Sequence, residues 1–278
     1  QRIRPIIATP NLLGHIWLQG GHKGCFPAEI CASLDYSVLM RIHYSHRWPR
    51  TKQQAYSHLE TAALNVLTEG TISEAGTLAV VSSSFGYRGR YLYAAALLMA
   101  YPSLEELGYS FAAREVVFPH HPSLLYYREG PAILAALSSL DGDPDILLLP
   151  DHGIAHPYRC GLASLVGLAF DKPSVGCCRR LLAGEHQPLD PQSGSEARIW
   201  LDGTEAGIAY RSRDGVKPIY ISPGHRCSLG EDGRFAVSLL RGFRMPEPLR
   251  IAHLLANKRR RRIERKRAKK RTEQLAGA

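Results

Sequence analysis

Four consecutive large apolar residues, Ile146 to Leu149, follow the turn-forming Asp141-Gly142-Asp143-Pro144 and Asp145. A strand with one wet face alternates polar and apolar side chains, so a run without alternation reads as a strand covered on both faces. Such a strand belongs inside a sheet that carries helices on its two sides, which points to an α/β architecture. The neighbouring segments agree. Strand-length apolar runs come before it at Leu78–Val81, Leu92–Met99 and Glu115–Phe118, separated by turn-like Gly86–Gly89 and Tyr101–Ser103. Helical patterns occupy Gly130–Leu140 and Gly161–Phe170, with a strand at Ser174–Cys177. Three strands, helix, strand, helix, strand is the order of a mixed sheet, antiparallel at first and parallel later. Further strands are predicted at Ile199–Leu201, Gly207–Tyr210 and Pro218–Ile221, and helices at Ser228–Leu240 and Pro246–Ala256.

An earlier helix is expected from Thr51, an N-cap, to a stop at Gly70. Its face is formed by Ala55, Leu59, Ala62, Ala63, Val66 and Leu67. Residues 1–45 hold no sustained period and read as an irregular extension. The organisation expected is therefore 1–45 extension, 46–257 folded domain and 258–278 basic tail.

With 45% hydrophobic and 22% charged residues the chain is not a disordered one. Its longest apolar runs, such as Ala94 to Ala100, fall far short of the roughly 20 residues of a membrane span. Six cysteines without regular spacing suit a reducing compartment, so a cytoplasmic or nuclear monomer is the expectation. Cys177-Cys178 reads as a buried strand end. The net charge of +10 is concentrated: eleven basic residues and one acid lie between Lys258 and Arg271, and the remainder carries equal numbers of each sign. That block reads as a solvated helix or arm, a targeting signal, or a contact to phosphates through Lys258, Arg259, Arg260, Arg261 and Arg262.

Five phrases stand out: Phe118-Pro119-His120-His121-Pro122, Tyr127-Arg128-Glu129-Gly130-Pro131, Asp151-His152-Gly153-Ile154-Ala155-His156-Pro157, Gly215-Val216-Lys217-Pro218 and Ser222-Pro223-Gly224-His225-Arg226. In this order and spacing the chain resembles the endonuclease V family, which nicks DNA or RNA beside deoxyinosine or inosine. The resemblance runs from about Trp48 to Ala256 and includes Met245-Pro246-Glu247-Pro248-Leu249-Arg250. It implies a ribonuclease H-like mixed sheet flanked by helices, and a Mg²⁺ ion, or Mn²⁺, held by carboxylates.

The resemblance also implies a site, and there the sequence departs from the pattern. The family's first-strand Asp falls on Ser82, its second carboxylate is present as Glu129, and its third falls on Pro150, with Asp151 one residue late. The family Lys falls on Arg179, which keeps the charge but not a titratable ammonium. Candidate catalytic residues are thus Glu129, His156, Asp151 and Arg179, with Glu129 and Asp151 as metal ligands. Lesion recognition is assigned to Pro119, His120, His121 and Pro122, where His120 replaces a wedge Tyr, and to Gly130 and Gly153. Lys217 and His225 are further nucleic-acid contacts. The reading is a DNA- or RNA-binding protein of this lineage, inosine-directed, with cutting impaired by loss of two carboxylates. An active Mg²⁺-dependent enzyme using Glu129 and Asp151 is the alternative, and a ribonucleoprotein component anchored by the basic tail is a third.

Overall fold

The computed structural model describes residues 39–276; the expected extension lies largely outside them. Helix α1 (Lys52–Ala63) starts at Thr51, whose hydroxyl accepts from the Gln54 N–H while the Gln54 side chain accepts from the Thr51 N–H. This reciprocal capping satisfies two orphan donors. The helix ends seven residues before the expected Gly70. Segment 64–70 instead runs alongside a later loop, with Arg226 N–H donating to the Leu67 carbonyl at 2.6 Å and Ser228 N–H to that of Gly70.

The three strands that follow are β1 (Thr77–Gly86), β2 (Tyr91–Ala100) and β3 (Glu106–Glu115), joined as antiparallel neighbours. The third corrects the expectation at Glu115–Phe118. That segment is a loop whose Val117 is 85% exposed, whereas Glu106–Glu115 pairs with β2 at the sheet edge. Helix α2 (Leu125–Ser138) then leads to β4 (Ile146–Leu149), α3 (Leu162–Phe170) and β5 (Ser174–Cys178). β4 pairs in parallel with β1 and β5, and all four of its residues are buried. β6 (Glu196–Leu201), β7 (Thr204–Tyr210) and β8 (Ile219–Pro223) complete an eight-stranded mixed sheet of order β3-β2-β1-β4-β5-β8-β7-β6.

Two cores sit on the two faces. Ala79, Val81, Leu147 and Leu149 point to α2 and α3; Leu78, Val80, Ile146 and Leu148 point to α4 (Glu231–Ser238) and α5 (Glu247–Ala276). The alternation explains why β4 must be apolar throughout. α5 does not stop near Ala256. It continues as one helix through the basic block, so residues 258–276 are part of an element packed on β1 and β2 rather than a separate arm. Leu39 bridges to Asp141, and the His43 and Tyr44 N–H groups donate to the Ala169 carbonyl, so residues 39–45 lie against the domain. No helix among the described residues is long and apolar enough to cross a membrane.

Candidate nucleic-acid site

The parallel register of β1 and β4 sets the site. Val80 stands opposite Leu148, so Ser82 comes level with Pro150 and Ser83 with Asp151. Side chains alternate along a strand. Ser83 therefore faces α2, where its hydroxyl donates to Glu129 Oε2 at 2.6 Å. Ser82, where the family places its carboxylate, faces α5 instead, with its Oγ 3.4 Å from His253 Nδ1. Burial raises the Glu129 carboxyl above its ordinary range, the Ser83 hydroxyl lowers it, and the nearby Asp151 charge raises it again.

Asp151 is already engaged. Its Oδ1 accepts from His152 Nδ1 at 2.7 Å, while His152 Nε2 donates to the Arg180 carbonyl at 2.9 Å and lies 3.1 Å from the Cys178 sulfur. Both ring nitrogens thus face acceptors, which holds His152 as an imidazolium. Burial alone would lower its pKa; the bonds to Asp151 and Cys178 outweigh burial and hold it at about 10. Asp151 and His152 form a recessed ion pair at the end of β4.

His156 is the opposite case. Its Nε2 donates to the Ser123 carbonyl at 3.0 Å and its Nδ1 accepts from the Tyr158 N–H at 3.2 Å. Burial pushes it down to about 4, against the pull of the Ser123 carbonyl and Asp151. It is a neutral histidine with both nitrogens occupied, tying two loops together.

Ser82, Ser84, His253, Asn257 and Arg260, on β1 and α5, form a network that the sequence reading did not identify. Ser84 Oγ donates to Asn257 Oδ1 at 2.7 Å, Asn257 Nδ2 reaches His253 Nε2 at 2.9 Å, and Arg260 Nε donates to Ser84 Oγ at 2.9 Å. Burial lowers the His253 pKa, as does the charge of Arg179 close by. Their spacing at 253, 257 and 260 on one helical face was the available signal.

A divalent cation of the Mg²⁺ type needs several anionic oxygens converging on one point. Here Ser82 and Pro150 bring no charge, Glu129 is bonded to Ser83 and Asp151 to His152. Among the described residues no three His, Cys, Asp or Glu side chains gather into a group able to hold a metal ion. The donor set does not fit the ion that the resemblance implies.

The other expected residues are dispersed. His120 and Pro119 are exposed, whereas His121 is held by Ser123 (3.0 Å) and packs edge-on against Tyr56. His120 is therefore the projecting member of the Pro119–Pro122 turn. A Cβ on Gly153 would lie 1.9 Å from the Pro223 carbonyl oxygen, and its N–H already donates to Ser222 Oγ, so close approach of β8 accounts for this glycine. At Gly130 a Cβ would lie 3.1 Å from the Trp48 ring. His225 is buried: its Nδ1 accepts from the Leu67 N–H and its Nε2 faces Asp171, which removes its ring from any bound strand. Lys217 is exposed on the loop before β8. Arg259 and Arg260 face the sheet, and Lys258, Arg261 and Arg262 are more open to solvent. Cys177 and Cys178 are both buried, at the end of β5.

Comparison with known proteins gives a consistent picture. The family model described as Endonuclease V matches residues 61–254. Endonuclease V of Roseiflexus sp. (strain RS-1) is 38% identical over 214 residues, 77% of this chain and 96% of the relative. The crystal structure of endonuclease V from Streptomyces avermitilis superposes with a TM-score of 0.73 at 28% identity, covering 82% of this chain and all of that one. Endonuclease V of Ciona intestinalis, solved with a 23mer DNA containing an inosine followed by a ribo-adenosine, shares the fold with a TM-score of 0.64 at 20% identity, over 77% of this chain and 99% of that one.

Proposed function

The chain belongs to the endonuclease V family, and on that premise we propose that it binds nucleic-acid strands containing inosine or deoxyinosine and does not cut them. One observation carries the second half of this reading: the positions of two family carboxylates hold Ser82 and Pro150, and Asp151 accepts from the His152 ring through its Oδ1. Phosphodiester cutting at neutral pH needs an activated water and neutralisation of charge on the phosphoryl oxygens. A lone carboxylate, Glu129, held by a serine hydroxyl supplies neither.

Binding rests on different groups, and these are present. The Ciona relative holds an inosine-containing DNA, and this chain offers an exposed imidazole, His120, on a proline-bracketed turn. An aromatic ring of that kind stacks on a base whatever its sequence, by about 1–3 kcal/mol for a full platform. Arg179 keeps a fixed positive charge beside His253 for phosphate contact. The partner is therefore DNA or RNA. A protein with this site retains recognition and has lost its chemistry.

The test is a gel-shift on a labelled single strand carrying one inosine, against the same strand with adenosine. Tighter binding of the inosine strand, reduced by His120→Ala, is the expected result. Equal binding of both strands would overturn the recognition half of the proposal.

A further inference from the structure

Residues beyond 254 lie outside the family match, and the Roseiflexus relative is covered almost to its full length while about a fifth of this chain is left over. The basic half of α5 is part of that surplus. It is built with two different faces. Toward the sheet, Arg259 lies 5.1 Å over the Phe111 ring, Arg260 is bonded to Ser84 and Glu264, and Arg267 stands 5.5 and 5.4 Å over Tyr87 and Tyr91. Glu264, the single acid among these cations, accepts from the Tyr87 N–H at 3.0 Å and docks where Gly86 leaves room for it. These contacts fix the helix against β1, β2 and β3.

The outward face carries Lys258, Arg261, Arg262, Arg265, Lys266 and Lys269, all exposed. Their spacing of three and four residues places them in one stripe, under half the circumference of the helix. Among the described residues the only acid paired with this stripe is Glu273, 3.8 Å from Lys269. Like charges at these spacings cost stability on a free helix; here the opposite face anchors the helix and bears that cost. At a rise of about 1.5 Å per residue the stripe is about 16 Å long. It begins five residues after His253, which faces Ser82 on the sheet side of the same helix.

We propose that this stripe is a rail for the phosphate backbone of the nucleic acid that the domain binds. The proposal rests on the reading that the domain takes a nucleic-acid strand. One strand of a duplex presents a phosphate every 3.4 Å or so of axis, so the rail spans about five phosphates. Contacts of this type add affinity without sequence preference. An anionic membrane is the competing partner, but a helix that lies on a bilayer needs a free apolar face. Here the face opposite the stripe is occupied by the sheet.

The experiment measures Kd against salt for the full chain and for Arg261→Gln/Arg262→Gln/Arg265→Gln/Lys266→Gln, on inosine and adenosine strands. Four lost phosphate contacts should reduce the slope of log Kd on log salt by about 3 and weaken binding at low salt by about a hundredfold or more. The inosine-to-adenosine ratio should not change. The charge-preserving variant Arg261→Lys/Arg262→Lys/Arg265→Lys should keep the slope. An unchanged slope in the Gln variant overturns the rail. So does binding to phosphatidylserine-containing phosphatidylcholine vesicles that the Gln variant loses while its slope on nucleic acid stays the same. A reduced slope with no inosine preference in either protein would keep the rail and overturn the recognition proposed above.

Discussion

Replacing Asp151 by Asn should unfasten His152 and change how stability depends on pH. In the folded protein His152 holds its proton with a pKa of about 10, against 6.5 ordinarily, because its Nδ1 donates to Asp151. A group whose folded pKa is raised contributes stability that is complete below about pH 6.5 and is lost as pH rises through about 10. Within that window the folded state carries one more proton than the unfolded, so stability falls by about 1.4 kcal/mol per pH unit. Over the whole window that is on the order of 5 kcal/mol, about half of it between pH 7 and 9. Breaking a buried pair by removing one partner costs about 3–5 kcal/mol. Asp151→Asn should therefore be less stable than the parent by about that amount at pH 6, and the gap should narrow by about 3 kcal/mol by pH 9. Urea unfolding at a series of pH values measures it, and the difference between the two proteins removes the titration of groups they share. A gap that stays constant from pH 6 to 9 would refute the ion pair, and with it the argument that Asp151 is unavailable to a metal.

Three other outcomes follow from the same geometry. Glu129→Gln should raise stability at pH 8, because burial disfavours the ionised carboxyl, and should not weaken strand binding; thermal melts and gel-shifts report the two. His156 is neutral when folded, with a pKa of about 4, so the unfolded state gains a proton first and stability falls as pH drops from 6.5 to 4. His156→Gln should flatten that limb in acid titrations followed by circular dichroism. Gly153→Ala should lose more than about 3 kcal/mol or fail to fold, since the added carbon meets the Pro223 carbonyl at 1.9 Å; chemical unfolding measures the loss.

Much of the fold was legible because burial leaves a strong pattern. β4 spans the predicted Ile146–Leu149, and a strand with two covered faces cannot hide a polar residue. β3 was displaced because it is an edge strand whose exposed positions carry Glu106, Tyr109 and Arg114, while apolar Val116-Val117 beside it lies in a loop. The length of α5 was not legible either: its second half is held by guanidinium groups over aromatic rings and by Glu264, not by an apolar stripe. At the site, the sequence register identified Ser82 and Pro150 as uncharged. It did not show that Ser83 meets Glu129 or that Asp151 turns to its neighbour. Those depend on the strand pleat and on β5, which brings Cys178 and the Arg180 carbonyl to the far side of His152.

The central claim is that recognition persists where cutting has failed for want of carboxylates. Its most direct test incubates the parent chain and Glu129→Ala, in excess, with a labelled inosine strand in Mg²⁺ and then in Mn²⁺, alongside a gel-shift on the same strand. A shifted strand with no nick by the parent in either metal is the expected result. A nick by the parent that disappears in Glu129→Ala would contradict it.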